Sequence, residues 1–406
     1  MPVTKLVLDG LLFAECEMNG ANRDGMMRLA EEVTMRIMAD SELDISFAST
    51  LLIEKYDKAL KKFVAEKYPD RNSKIFSKKP PRISNLLLKE GLFKKTNINR
   101  ALRTFYKEIY EQDIFHSFYY AFPKIDEKKK LKKTITLLDI IPLKLSGYPK
   151  DLVQRTKNIV QSIERNYAIS ISEYSKNDLL NYNSNISPEN IFVVPLAASR
   201  ELFYQNTNKT DWLNIKAKYG LPDKYFLCVA GQDQRKNVAH VIKCFNQFIL
   251  QEKPTDIHFV LTGNAPYSRK MILDLNISKE AKDRIILPVT FIDSQDLAAL
   301  YSNSLCFFFM SLYEGFGLPA LEAMQCGTPT IASNTTSLPE VVKDGGVLLP
   351  PTDEDALCDT MCTMYNDDKF RNSIAEAGLK KAAQFSWEKT AESYTRIFKN
   401  LAENKF

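Results

Sequence analysis

One stretch constrains this chain more than any other: an apolar run, then two glycines, then a short series of good helix formers. The run is Leu305-Cys-Phe-Phe-Phe-Met310, and Glu314-Gly-Phe-Gly-Leu-Pro-Ala-Leu-Glu322 follows it closely. A six-residue apolar run bounded by turn signals reads as a strand buried on both faces. Pro319 stands where a first helical residue would stand, Ala320 to Cys326 continue the helix, and Gly327 is placed to end it. The local reading is therefore strand, glycine loop, short helix. Glu314 falls at the carboxyl end of the strand and Glu322 about one turn into the helix.

That order has a chemical use. A loop carrying Gly315 and Gly317 lets backbone N–H groups approach a ligand, and a helix N-terminus presents a positive dipole end to phosphate. A carboxylate accepts two hydrogen bonds at once and so suits a vicinal diol. Two carboxylates bracketing such a helix end suit the two sugars of a nucleotide-sugar, with Glu314 toward the donor sugar and Glu322 toward the ribose. Gly315, Phe316, Gly317 and Leu318 would then line the phosphate. For either glutamate alone, simple complementation of the helix dipole is an alternative.

The Glu-Gly-Phe-Gly-Leu-Pro-x-x-Glu-Ala-Met context of Glu314 and Glu322 resembles the signature of retaining family-4 glycosyltransferases. Cys326-Gly-Thr-Pro-Thr-Ile-Ala-Ser-Asn334 and Leu338-Pro-Glu-Val-Val342 resemble the same family, and the likeness loosens toward the N-terminus. The resemblance implies the GT-B fold: an α/β protein of two Rossmann-like domains facing each other across a cleft. It also implies a nucleoside-diphosphate sugar as donor, retention at the anomeric carbon, and neither cofactor nor divalent metal.

Length and composition agree with such a protein. A chain of 406 residues is too long for one ordinary core and natural for two domains. Alternating strand and helix patterns run through both halves, which points to parallel sheets. The expected division is 1–198 for an N-terminal, acceptor-binding domain and 199–384 for a C-terminal, nucleotide-sugar-binding domain. Residues 385–406, beginning Phe385-Ser-Trp387, read as an amphipathic helix crossing back onto the N-terminal domain. No apolar run reaches the ~18 residues a membrane span needs. Met1-Pro-Val-Thr-Lys-Leu-Val-Leu lacks the build of a signal peptide and reads as the first strand. Seven scattered cysteines suggest reduced, mostly buried thiols, and Cys358 and Cys362 at i, i+4 lack the partners of a zinc site. The expected location is the cytoplasm, with possible attachment to the inner face of a membrane.

In the first half, Leu6-Val-Leu8 leads into a small-residue loop over Asp9 to Gly25, followed by a helix from Met26 to Ala39. Asn22 and Arg23 in that loop are candidates for contact with the acceptor or the phosphate, and a plain turn is the alternative. The stretch 74–103 carries Lys74, Lys78, Lys79, Arg82, Lys89, Lys94, Lys95, Arg100 and Arg103 among apolar residues. It fits either an anionic membrane surface or a solvated helix face. No nucleic-acid motif accompanies the charge. Asp113-Ile-Phe-His116 and Lys133-Thr-Ile-Thr-Leu-Leu138-Asp139 read as further parallel strands. The second resembles the family's hydrophobic run before His-Asp, with Leu138 in place of the histidine and Asp139 retained as a catalytic candidate. His116 is a candidate to substitute for the missing imidazole, against a structural role.

In the second half, Tyr225-Phe-Leu-Cys-Val-Ala230 leads into Gly231-Gln-Asp-Gln-Arg235-Lys236-Asn237 and a helix from Val238 to Leu250. The family's matching segment binds the diphosphate. Lys236 is therefore expected to hold the leaving group with Arg235 beside it, near Gly231. Many relatives carry arginine at the position of Gly231, so one cation is missing or Arg235 replaces it. The loop 288–293 matches the place where relatives hold the nucleobase, largely through backbone groups. The expected activity is hexosyl transfer, mannose or rhamnose, to a glycan or lipid-linked glycan in bacterial polysaccharide assembly. The departures at Leu138 and Gly231 keep a second reading open: a catalytically weak GT-B subunit that binds a partner transferase or glycan.

Overall fold

The computed structural model of the chain describes residues 3–19, 25–50, 54–69, 74–76, 108–122, 131–229, 233–263 and 265–405. The backbone divides into two units, Met1–Pro195 with Trp387–Phe406, and Leu196–Ser386. Each unit is built on its own parallel sheet.

Seven strands are described in the first unit: β1 (Thr4–Asp9), β2 (Leu43–Ala48), β3 (Ile75–Phe76), β4 (Ile114–Ser117), β5 (Lys132–Leu137), β6 (Tyr167–Ser170) and β7 (Ile191–Val193). They lie in the order β3-β2-β1-β4-β5-β6-β7, with every ladder parallel. The direction of growth therefore reverses between β1 and β4. β4 is buried along its whole length, as a strand covered on both faces must be. β7 stops at Val193, and Pro195 beyond it has no N–H with which to extend a ladder.

The segment after β1 departs from expectation. Leu11–Asn19 is a helix rather than part of a loop. Leu11, Leu12, Phe13 and Ala14 are good or tolerated helix formers. The Asp9 carboxylate begins the turn by accepting the Leu11 N–H at 3.2 Å. A second helix, Gly25–Ile37, follows.

The last helix, Trp387–Ala402, belongs to the first unit. It buries Trp387, Ala391, Tyr394, Ile397, Phe398 and Leu401, a stripe spaced three and four residues apart. Thr390 Oγ1 donates to the Pro195 carbonyl at 2.8 Å, and the Tyr394 hydroxyl lies 2.8 Å from Thr136 Oγ1 on β5. Beneath them His116 on β4 is fully buried, 2.8 Å from Thr134 Oγ1 and 3.3 Å from Thr136 Oγ1, with Tyr394 and Phe398 packed against its ring. Burial lowers its pKa to about 3, so the imidazole is neutral. This corrects the expectation that His116 faces a ligand. Its position on a central strand places it under the C-terminal helix instead.

The second unit holds β8 (Tyr225–Val229), β9 (His258–Thr262), β10 (Ile285–Ile286), β11 (Cys306–Phe309), β12 (Thr330–Ser333) and β13 (Val347–Leu349). The order is β10-β9-β8-β11-β12-β13, again all parallel. Phe226, Phe259 and Phe308 from three adjacent strands meet Phe245 and Phe248 of the helix Val238–Glu252. This aromatic layer anchors the sheet that carries the glycine loop. All seven cysteines are free thiols, five of them buried. Among the described residues no helix is long and apolar enough to cross a membrane. Of the basic stretch 74–103, residues 77–103 lie outside the described residues. Lys74 pairs with Glu108 at 3.6 Å and lies over the Phe76 ring.

Asp9 closes the carboxyl end of β1 with both oxygens engaged. Thr50 Oγ1 donates to Oδ1 at 2.7 Å and Ser117 Oγ donates to Oδ2 at 3.3 Å. Burial outweighs these bonds and raises its pKa to about 6. A carboxyl raised in the folded state contributes most stability below the unfolded pKa of about 3.8 and loses it as pH rises through about 6. Asp9→Asn keeps the geometry, since its oxygen can accept from Thr50 Oγ1 and the Leu11 N–H, as Oδ1 does, while its amide donates to Ser117 Oγ. Relative to wild type, the variant should therefore gain stability as pH rises from 4 to 7 (about the range the two pKa values bracket). Urea unfolding of both proteins across that range tests this, and a difference independent of pH would refute it.

Candidate functional site

In the second unit the strand order reverses between β8 and β11. In open parallel sheets the crevice outside such a reversal is where ligands bind, because the loops on its two sides diverge. Two segments leave the sheet there. β8 leads toward a single 3-10 turn, Gln234–Lys236, and β11 leads through Met310 to the glycine loop. Gly231 lies outside the described residues, as do Asn22 and Arg23 of the other unit.

The turn after β8 is shaped by its own side chains. Asp233 Oδ1 accepts the Arg235 N–H at 3.0 Å and starts the turn, and Asn237, in the left-handed region at φ 56°, ends it. Asparagine tolerates that conformation better than most residues. Asn237 also donates through Nδ2 to the Pro351 carbonyl at 2.7 Å. Lys236 follows Arg235 and points over the sheet edge. Its ammonium lies 5.9 Å from the Phe309 ring centroid at the end of β11. It also acts on Cys228 near the end of β8: burial pushes that thiol up to about 12, and the Lys236 charge opposes the rise. Lys236 thus spans the two strands that border the reversal.

Arg235 is placed differently from the expectation that it would join Lys236 on a phosphate. Its guanidinium is committed to protein groups. Nε pairs with Asp233 Oδ2 at 2.7 Å, and Nη1 lies 2.7 Å from both the Tyr313 carbonyl and Glu314 Oε1. Burial works against its charge, and the Glu314 and Asp233 carboxylates outweigh burial, leaving its pKa above the ordinary arginine value. The backbones are tied as well, since Leu312 N–H donates to the Arg235 carbonyl at 2.6 Å. Arg235 therefore acts on Glu314 as a positioning residue.

Glu314 is 9% exposed and held from three sides. Besides Arg235, Ser311 Oγ donates to its Oε1 at 2.9 Å, and its own N–H donates to Thr336 Oγ1 at 3.1 Å. Among the described residues both side-chain bonds fall on Oε1, which leaves Oε2 its acceptor capacity. Ser337 Oγ bonds the Glu314 and Phe316 carbonyls at 2.9 and 3.0 Å, bracing the loop from the segment after β12. Thr336 holds φ 57°, a costly conformation for a β-branched residue.

Gly317 has φ 110°, and a Cβ there would stand 2.5 Å from Leu338 Cδ2. Only glycine makes this turn into the helix Leu318–Gln325, where Pro319 has no N–H and the Ala320 and Leu321 N–H groups donate to the Gly317 carbonyl at 3.1 and 3.3 Å. Glu322 lies on that helix at 8% exposure, a depth at which a carboxylate requires hydrogen-bond donors. Glu314, Gly315 to Leu318, Glu322, Arg235 and Lys236 thus share the second unit. Asp139 and His116 belong to the first, where Asp139 Oδ1 accepts the Ile141 N–H at 3.0 Å and starts the short helix Ile141–Lys144. Among the described residues no group of three or more His, Cys, Asp or Glu is arranged to hold a metal ion.

Sequence reasoning missed Asp233, Ser311, Thr336 and Ser337. Asp233 two residues before Arg235 carries the signature of an aspartate-led turn, and Ser311 three before Glu314 is within local bonding reach. Thr336 and Ser337 carry no such local signal, because their partners lie more than twenty residues away.

Residues 213–381 match the family described as glycosyl transferases group 1. Over 257 residues the chain is 30% identical to O-antigen chain mannosyltransferase B of Escherichia coli, a match covering 63% of this chain and 66% of that protein. It is 30% identical over 254 residues to serotype-specific mannosyltransferase WbdA of Escherichia coli, covering 61% of this chain and 31% of that one. The chain thus spans less than two thirds of either relative. In fold it resembles Anabaena Alr3699/HepE, solved in complex with UDP and glucose, with a TM-score of 0.66, 15% identity, and coverage of 98% and 100% of the two chains.

Removing the Arg235 charge leaves Glu314 largely buried beside Ser311 alone. Arg235→Gln should destabilise the protein by roughly 2–3 kcal/mol, and adding Glu314→Gln should recover much of that loss. A double-mutant cycle by chemical denaturation measures the coupling. Strictly additive effects would show that the pair does no joint work.

Proposed function

We propose, from the premise that residues 213–381 belong to the group 1 glycosyl transferases, that this chain transfers a hexose from a nucleoside-diphosphate sugar to a growing glycan. The observation that carries the reading is the cluster at the β8/β11 reversal. There, a cation, a positioned carboxylate and a helix N-terminus meet at one sheet edge. In the proposed mechanism Lys236 and the helix beginning at Leu318 face the diphosphate. Negative charge grows on the departing diphosphate in the transition state, and fixed positive groups in a partly dry site stabilise it there. Glu314, oriented by Arg235, accepts hydroxyl hydrogens of the donor sugar. Glu322 accepts those of the ribose.

Retention fits this set of groups. The acceptor oxygen bonds to the anomeric carbon on the face that the phosphate leaves, and the acceptor proton passes to a phosphate oxygen. Such a route needs positioning and electrostatics rather than a strong protein base. It is therefore compatible with Leu138 and with a sealed, neutral His116. The diphosphate is neutralised by protein groups in this reading, with no divalent metal or cofactor. Mannose as the donor sugar draws support from the names of the two Escherichia coli relatives, and so does a setting in bacterial polysaccharide assembly; action at the cytoplasmic face of a membrane is part of the proposal.

The test is a thermal-shift screen against UDP, GDP, dTDP, ADP and CMP, with and without magnesium. A ligand that binds only the folded state raises the melting temperature, so one nucleotide should stand out and be indifferent to magnesium. No shift from any of them in a folded sample would favour the catalytically weak subunit instead. With the preferred nucleotide, Glu322→Ala should weaken binding by about 1–3 kcal/mol, and unchanged affinity would remove Glu322 from the site. Lys236→Ala should lower turnover at least roughly ten-fold, and near-wild-type turnover would refute its role as the leaving-group cation.

A further inference from the structure

Phe316 stands between Gly315 and Gly317, so it is the one large side chain by which the glycine loop can be gripped. Its ring is buried and meets the ring of Phe385 edge to face, with centroids 6.0 Å apart and planes at 84°. Phe385 follows the helix Asp368–Ala382 and closes its end, donating its N–H to the Ala382 carbonyl at 3.0 Å. The Lys381 ammonium lies 5.3 Å from the Phe385 ring centroid, so this ring meets a cation as well as Phe316.

The same helix also reaches the far end of the element that the loop begins. Small residues let it come close. A Cβ at Gly378 would stand 3.0 Å from the Gly345 carbonyl oxygen and 3.3 Å from Met324 Cγ, and a Cβ at Gly345 would stand 2.5 Å from Lys381 Cβ. Met324 lies in the last turn of the helix Leu318–Gln325. The helix Asp368–Ala382 thus backs that turn at Gly378, and Phe385 beyond it seats the loop before Leu318. Both contacts lie within the second unit. Phe385 is itself only half-buried, so it does little to fill the core. Its removal opens the surface beside Phe316 more than it leaves an internal cavity, and the cost falls on the loop before it falls on the fold.

We propose that Phe385 is a positioning residue for the diphosphate: through Phe316 it sets where the glycine loop presents its backbone to the ligand. Ser337 bonds the Glu314 and Phe316 carbonyls and so orients their peptide planes. Two glycines leave the rest of the loop soft unless a side chain holds it. Backbone N–H groups stabilise growing negative charge best when they cannot move, which makes the grip on Phe316 part of the electrostatics. The identity of the ligand rests on the proposed donor chemistry, whereas the grip on the loop does not.

The test compares wild type with Phe385→Ala, Phe385→Leu and Phe385→Tyr in the full chain. Calorimetry measures affinity for the preferred nucleoside diphosphate and for its monophosphate. Phe385→Ala should lose about five-fold or more in diphosphate affinity while monophosphate affinity stays within about two-fold. Phe385→Tyr keeps the ring and should restore most of the loss. A merely structural role would lower both affinities together and leave their ratio unchanged. Hydrogen exchange on the free protein needs no ligand: amides at 315–318 should exchange about five-fold faster or more in Phe385→Ala, with those of β8 and β11 unchanged. If Phe385→Ala does not fold, Phe385→Leu, which removes the ring and keeps an apolar side chain, carries the comparison. Unchanged exchange at 315–318, or an unchanged ratio of diphosphate to monophosphate affinity, overturns the positioning role. A wild-type protein that binds none of the nucleotides sinks the donor reading, and faster exchange in the variant still upholds the grip on the loop, so the two fail separately.

Discussion

The ion pair between Arg235 and Glu314 is the interaction on which the candidate site depends. The loops after β8 and β11 diverge by construction, since the sheet grows in opposite directions from that point. Divergent loops make room for a ligand and also lack the ladder bonds that would hold them in place. Arg235 supplies the missing constraint with one guanidinium reaching its own turn, the Tyr313 carbonyl and the Glu314 carboxylate. A planar group with five donors in a fixed fork can do this, and a lysine at the same position could not. The adjacent Lys236, with a single flexible ammonium, is the better group to meet a ligand whose charge moves during reaction.

The remainder of the loop is braced from the far side. Ser333 at the end of β12, and Thr336 and Ser337 after it, bond the backbone of Ser311, Glu314 and Phe316. The strained Thr336 is held where its hydroxyl accepts the Glu314 N–H and the neighbouring Ser337 bonds two loop carbonyls. Rigidity of this kind is what electrostatic stabilisation requires, since groups that reorganise during reaction return part of the benefit. The first unit reaches a similar end with a different device. Asp9 links the ends of β1 and β4 and Thr50, two residues past β2, through a buried carboxyl, whose own charge is costly there.

Parallel sheets explain why both units carry polar groups at the same edge. Their strands are apolar along their length, so chemistry is confined to the loops at the carboxyl ends. His116 illustrates the limit of reading function from residue type. Histidine at a predicted strand end suggested a ligand contact, yet it lies on the face that the C-terminal helix covers, and burial keeps it neutral. The helix Leu11–Asn19 shows the opposite error, in which small and polar residues beyond it drew attention to a loop and hid an ordinary helix start at Asp9.

Much was legible from sequence alone. Apolar runs of four to six residues between helical patterns specify parallel strands, and the string from Glu314 to Glu322, with its glycines and Pro319, specifies strand, turn and helix. These are local signals, set by propensity, periodicity and the conformations only glycine adopts. Which strands become neighbours, and hence where each sheet reverses, is decided in three dimensions. So are the partners of Glu314, because Arg235 lies 79 positions earlier and Thr336 lies 22 later. The residue types that can serve as ligands are written in the chain. Whether a given charge faces a ligand, as Lys236 does in our reading, or is spent on a neighbouring carboxylate, as Arg235 is, depends on contacts between segments that no local pattern encodes.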